Sequence, residues 1–259
     1  MVLAYHEITP KPGRYVYAVD RATFAQHLRY VRNLEASGRP QDTFALTFDD
    51  GHASHHRYGL PFLTEVGLKG IFFITAGWTG TRPEYMDWVQ LREIAAAGHE
   101  IQSHGWSHAF LTKCGLRELE HELCASRATL EDHLGVAVRS ISAPGGRWDS
   151  RVLEACRRAG YTRLYTSDPW LVAREESNLL LSGRFMVRRD MKPADLRKVL
   201  TSRHSRVHIL RVRHEAKRLF RSLIGDGLYE QVWRVVGSSN SRSAINQEYL
   251  EARSDQETA

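Results

Sequence analysis

Seven short strand-forming runs, separated by stretches of helical periodicity, constrain the fold of this chain more than any other feature. The strand runs are residues 2–6, 44–48, 70–75, 100–103, 138–142, 163–166 and 179–182, the third reading Gly-Ile-Phe-Phe-Ile-Thr. Between them lie helical patterns at 20–37, 58–66, 85–97, 116–134 and 149–159. In the first, Phe24, Leu28, Val31 and Leu34 share one face. Asp149 or Ser150 is placed to cap the last helix, and Gly38, Gly67, Gly98, Gly135 and Gly160 supply the stops. Alternation of this kind predicts an α/β protein: a parallel sheet joined by crossover helices, open or closed. A closed (β/α) barrel routinely takes about 250 residues as one unit, and this chain has 259. In such a barrel, reactive side chains belong at the C-terminal ends of the strands.

Composition narrows the class further. The chain is 42% hydrophobic and 25% charged, with a mean hydropathy of −0.42. No run approaches the roughly 20 apolar residues of a membrane span. The first residues run straight into charged and turn positions, with no signal-peptide pattern. A cytoplasmic setting is the expectation, and reduced Cys114, Cys124 and Cys156, without CxxC spacing or an even count, agree with it. Net charge is +6, and seven of the basic side chains crowd into Arg203 to Arg221, opposed by Glu215 alone. That segment reads as a solvated basic helix face. It also offers a peripheral contact to anionic lipid at an inner membrane surface. Finger spacing, RNA-binding aromatic signatures and a clear helix-turn-helix are all missing, so nucleic acid is not expected as a partner. The organisation expected is a barrel over residues 1–200, a basic helical extension over 201–236 and a polar tail over 237–259.

Two constellations carry chemistry. Thr47-Phe48-Asp49-Asp50-Gly51 closes a strand with two adjacent carboxylates, whose mutual repulsion a divalent cation would relieve. One Asp could then ligate while the other stays free as a base; a plain Asp-Asp-Gly turn is the alternative. His104-Gly105-Trp106-Ser107-His108 directly follows the strand at 100–103. Histidines four apart can face one cation, but His52/His56 and His204/His208 share that spacing. Position separates them: only His104/His108 begins at the end of its own strand, where it could meet Asp50.

Together, Thr47–Gly51 and His104–His108 resemble the first two motifs of the polysaccharide deacetylases, carbohydrate esterase family four, also called the NodB-homology domain. The resemblance covers roughly residues 1 to 190. It includes Leu3-Ala4-Tyr5-His6 at the start and Ser142-Ala143-Pro144-Gly145-Gly146-Arg147, which is similar to the third motif. It implies a distorted (β/α) barrel of about seven parallel strands and a metal-dependent hydrolase that removes N-acetyl groups from amino sugars of a bacterial polysaccharide or lipid-linked glycan precursor. Asp50, His104 and His108 would be the metal ligands and Asp49 the base for the attacking water. Gly145 would offer its backbone N–H to the oxyanion. Zinc is the metal implied, with cobalt or nickel accepted by related sites.

The chain departs from the family pattern in three places. Ser142 stands where the third motif normally has an Arg that orients the base, and Arg147 is the candidate replacement. Thr166-Ser167-Asp168-Pro169-Trp170 resembles the fourth motif, with Asp168 as charge partner and Trp170 lining the pocket. The last motif usually presents Leu-x-His, its His the general acid for the departing amine. Here the run reads Leu179-Leu180-Leu181-Ser182-Gly183-Arg184-Phe185, and an Arg cannot give up its proton. His6, His52 or a metal-bound water is the candidate substitute. A catalytically impaired, metal-retaining glycan-binding relative is the competing expectation.

Overall fold

The computed structural model describes residues 1–37, 44–169, 171 and 173–201. Trp170, the basic segment at 203–221, the His204/His208 pair and the tail at 237–259 lie outside them. The chain opens with β1 (Val2–Tyr5), β2 (Glu7–Thr9), β3 (Ala18–Asp20) and α1 (Arg21–Ala36), followed by β4 (Ala45–Phe48) and α2 (Leu60–Val66). Next come β5 (Gly70–Ile74), α3 (Trp88–Ala96), β6 (Glu100–Ser103), α4 (Leu116–Leu134), β7 (Ser140–Ser142) and α5 (Ser150–Arg158). β8 (Arg163–Tyr165), β9 (Arg174–Glu176), β10 (Leu179–Ser182), β11 (Phe185–Met186) and α6 (Pro193–Thr201) complete the order.

Parallel pairing runs β1-β4-β5-β6-β7-β8-β10. Two residues beyond β10, β11 returns to pair in parallel with β1, Leu3 opposite Phe185. One segment, residues 179–186, therefore meets both ends of the sheet, and the curled sheet is the expected distorted barrel. Counting β10 and β11 as halves of one bent strand gives the seven strands read from the sequence. β9 adds an antiparallel edge on β10, and β2 and β3 form a separate two-stranded sheet; neither was expected.

Local chemistry explains most boundaries. The Asp20 carboxylate accepts from Ala22 and Thr23 N–H at 3.1 and 3.0 Å and starts α1 there. The expected helix at 85–97 begins at Trp88 because Asp87 and Gln90 form a capping box. The expected helix at 58–66 is α2 preceded by a π turn over His55–Gly59. Asp149 caps α5 through the Val152 N–H, 2.8 Å away, and Gly135 ends α4 in the left-handed conformation. Beneath the sheet, the Phe48 and Phe72 rings stack with centroids 4.6 Å apart, and Tyr5 and Phe24 pack edge-on at 5.1 Å. Such aromatic pairs fix neighbouring strands in register beyond what apolar burial alone achieves. No helix among the described residues is long and apolar enough to cross a membrane.

Candidate active site

Because β1, β4, β6 and β7 are parallel, their C-terminal tips converge at one end of the barrel. Backbone bonds lock these tips together: Asp49 N–H donates to the Tyr5 carbonyl at 2.9 Å and His104 N–H to that of Ile74 at 2.8 Å. Asp50, His104 and His108 bring one ligand atom each within 4.8 Å of one another. Asp50 Oδ1 lies 3.2 Å from His104 Nε2 and 3.3 Å from His108 Nε2. Donors held about 2.0–2.1 Å from a tetrahedral zinc stand about 3.4 Å apart, so these separations would suit atoms sharing a cation.

The hydrogen bonding agrees with that reading. His104 Nδ1 lies 2.8 Å from the Ser142 carbonyl, which can only accept. In the neutral ring Nδ1 therefore carries the proton, and Nε2 turns a lone pair towards Asp50. Asp50 Oδ1 is buried and has no hydrogen-bond partner among the described residues. Two acceptors facing each other at 3.2 Å call for a positive charge between them. Burial would raise the Asp50 carboxyl, but the two imidazoles, when protonated and donating to it, outweigh that and hold it well below the usual carboxylate range. Asp50 and His108 also have φ values of 72° and 66°, a left-handed conformation that non-glycine residues adopt at a cost and that clusters at functional sites.

Asp49 sits beside this trio, 2% exposed. Its carboxylate receives a two-pronged contact from Arg184, Nη1 to Oδ1 at 2.6 Å and Nη2 to Oδ2 at 2.7 Å. Arg184 is itself 1% exposed. Its remaining donors reach Ser142 Oγ at 2.7 Å, Thr47 Oγ1 at 3.2 Å and the Thr166 carbonyl at 3.2 Å. Phe73 and Tyr165 rings lie 5.3 and 5.9 Å from the guanidinium. Burial pushes the Asp49 carboxyl up; Arg184 and then His104 pull harder, and the result is about 2. The charge expected from Arg147 thus comes from Arg184. Arg147 lies instead over the Phe110 ring, 4.1 Å from its centroid. Beyond the Pro144-Gly145-Gly146 turn, an aromatic face holds that guanidinium on the loop.

His6 follows the tip of β1. Asp50, Asp49, Arg184 and His104 all lie near enough for their charges to act on its ring. The ring stacks on Tyr17, centroids 4.9 Å apart, and His55 Nε2 contacts its backbone carbonyl. Its Nδ1 is buried without a hydrogen-bond partner among the described residues. Burial lowers its pKa, and the two carboxylates oppose that shift. His52, by contrast, is engaged with Ser54 Oγ at 2.8 Å and rests against Tyr85. His56 faces Glu93 at the surface.

Gly145 lies in the turn after β7 at φ 62°, where an added Cβ would stand 2.6 Å from the Phe110 ring. Asp168 follows the tip of β8, its N–H donating to Thr166 Oγ1 at 3.2 Å. Trp170 belongs to the residues outside the description. Sequence reasoning missed Arg184 as the partner of Asp49, together with the Ser142 hydroxyl that links them. The available signal was a lone charge in an otherwise uncharged run, residues 179–187.

Comparison with known families matches residues 36–164 to polysaccharide deacetylase. The chain is 32% identical over 147 residues to the chitooligosaccharide deacetylase of Sinorhizobium fredii, covering 56% of this chain and 66% of that one. It is 30% identical over 122 residues to chitin deacetylase 1 of Cryptococcus neoformans, covering 47% of this chain and 25% of that one. It therefore spans just under two thirds of the first relative and a quarter of the second. Among solved structures, IcaB from Ammonifex degensii superposes with a TM-score of 0.63 at 26% identity, over 77% of this chain and 94% of that one.

Proposed function

Because the chain belongs to the polysaccharide deacetylase family, we propose that it is a metal-dependent hydrolase that removes acetyl groups from the amino sugars of an N-acetylated glycan. The observation that carries this reading is the juxtaposition of a buried, ionised Asp49 with the Asp50-His104-His108 trio. Two imidazoles and a carboxylate suit zinc, with cobalt or nickel as substitutes. When bound, the cation would supply Lewis acidity, which acidifies water and polarises the acetyl carbonyl.

The chain's own groups do the rest. Asp49 accepts the proton of the attacking water. Arg184 keeps that carboxylate ionised and aimed, and without it burial would favour the protonated form. With a pKa of about 2, Asp49 is a weak base that can serve only on acidified water. The Gly145 N–H is the candidate donor to the oxyanion, and Asp168 and Trp170 are candidate pocket residues. His6, whose buried Nδ1 has an open valence near both carboxylates, is the candidate to accept the proton that Asp49 has taken from water and pass it on to the departing amine nitrogen. Retention of Asp49 with a dedicated arginine favours turnover over mere glycan binding, since metal retention alone gives that pair no task.

The test is acetate release from chito-oligosaccharides after zinc or cobalt reconstitution, comparing wild type with Asp49→Ala. Release by wild type, lost in the variant and on chelation, is expected. A wild type that binds metal yet releases no acetate from any N-acetylated glycan would leave the binding relative standing instead.

A further inference from the structure

We propose that Glu122 on α4 is a positioning residue for the metal-ligand loop, fixing where His108 presents its imidazole. This rests on reading Asp50, His104 and His108 as metal ligands. Glu122 is 3% exposed and lies on the face that α4 turns inward with Leu119, Leu123, Ser126 and Leu130. A carboxylate inside an apolar stripe must find donors, and all of those it finds belong to the segment between the two histidines. Trp106 N–H donates to Oε2 at 2.7 Å, Ser107 N–H to Oε2 and Oε1 at 3.1 and 3.2 Å, and Ser107 Oγ to Oε1 at 2.5 Å.

One helical turn on, Ser126 Oγ lies 2.9 Å from Ser103 Oγ, which in turn accepts from Gly105 N–H at 3.1 Å. An i, i+4 pair on one helix face therefore grips residues 103 to 107 from end to end. The opposite side of the same peptide is also tied, because Gly77 N–H donates to the Trp106 carbonyl at 2.9 Å. The grip has something to hold. Gly105 sits at φ 83° and His108 at φ 66°, and a free loop would relax the second of these. A methyl on Gly105 would stand 2.8 Å from Glu122 Oε2, so glycine also leaves the room that the carboxylate occupies.

Backbone groups that orient metal ligands govern affinity and coordination geometry as well as folding. The experiment measures cobalt binding to the full-length, metal-stripped protein by visible absorption, in wild type, Glu122→Gln and Glu122→Ala. Gln keeps one oxygen for the two N–H donors and an amide for the Ser107 hydroxyl; Ala keeps nothing. Glu122→Ala should weaken cobalt binding about 10–100-fold and move the cobalt absorption band, and Glu122→Gln should restore most of both. If Glu122→Ala fails to fold, Ser107→Ala takes its place, with a several-fold loss and a smaller band shift expected. A lower melting temperature with unchanged cobalt affinity and band would reduce Glu122 to scaffolding and overturn the proposal, as would a wild type that binds no cobalt. None of these readings needs turnover, so wild-type protein that binds cobalt but releases no acetate would sink the deacetylase reading alone.

Discussion

Replacing Arg184 with Gln would leave the Asp49 carboxylate in the same dry pocket with the Ser142 hydroxyl, 3.3 Å away, as its remaining donor. Stranding one member of a buried ion pair costs about 3–5 kcal/mol. Protonating a carboxyl costs about 1.4 kcal/mol for each unit by which pH exceeds its pKa, and burial shrinks that gap. Asp49 would therefore take up a proton. The acidic limb of kcat/KM for acetate release, which Asp49 at about 2 keeps below the working range, should climb into it. At neutral pH the rate should fall at least about 100-fold. An unchanged acidic limb in Arg184→Gln would show that the arginine does not set the state of Asp49. For His6→Ala the expectation is a fall in kcat of about 100-fold or more with metal content intact, and His52→Ala should retain activity. The reverse order would transfer the proton-donating role to His52.

Between strands, the bend at Gly183–Arg184 lets residues 179–186 reach both β8 and β1. A Cβ on Gly183 would run into the carbonyls of Asp168 and Leu171, and backbone atoms cannot swing aside as side chains do. Gly183→Ala should cost about 2–3 kcal/mol in urea unfolding and reduce activity, because Arg184 is the next residue. A variant as stable as wild type would mean that the Asp168 and Leu171 carbonyls shift to admit the methyl. The same bend explains what the sequence could disclose. The strands and the Asp49, Asp50, His104 and His108 tips were legible because strand periodicity and strand-end position are local properties. The Arg184–Asp49 pair spans 135 residues and depends on ring closure, which no window of sequence contains. The π turn at His55–Gly59 and the β2–β3 pair went unread for a similar reason: runs of three to five residues carry too little pattern. Glu122 was nearer to view, since a helical wheel of α4 puts its carboxylate among leucines.

For the molecule as a whole, three histidines far from any role as ligands set the response to acid. Burial lowers His27 to about 4, His55 to about 3 and His99 to about 4. Each is held neutral when folded but binds a proton once unfolded, at about 6.5. Stability is therefore complete above pH 6.5 and is lost as pH falls towards 4 for His27 and His99 and towards 3 for His55, each adding up to about 1.4 kcal/mol per pH unit. Urea unfolding at pH 7, 6 and 5 should show this decline. His27→Gln should flatten it by up to one proton's worth, since Gln can still meet the Tyr5 hydroxyl and the Met191 carbonyl. A flat profile between pH 6.5 and 5 would contradict it.

Leu3 and Phe185 are paired across 182 positions, and Arg184, whose guanidinium grips the Asp49 carboxylate, is the residue just before Phe185. During synthesis, the last residue of the Asp-His-His trio, His108, leaves the ribosome before the α4 and β7 groups that hold its loop. Asp49 meets its guanidinium only some 76 residues later, and long-range pairings of this kind are slow to form. A half-folded chain would thus carry the Asp50, His104 and His108 segments before the buried Arg184–Asp49 ion pair can form, and that pair waits on the closing of the barrel.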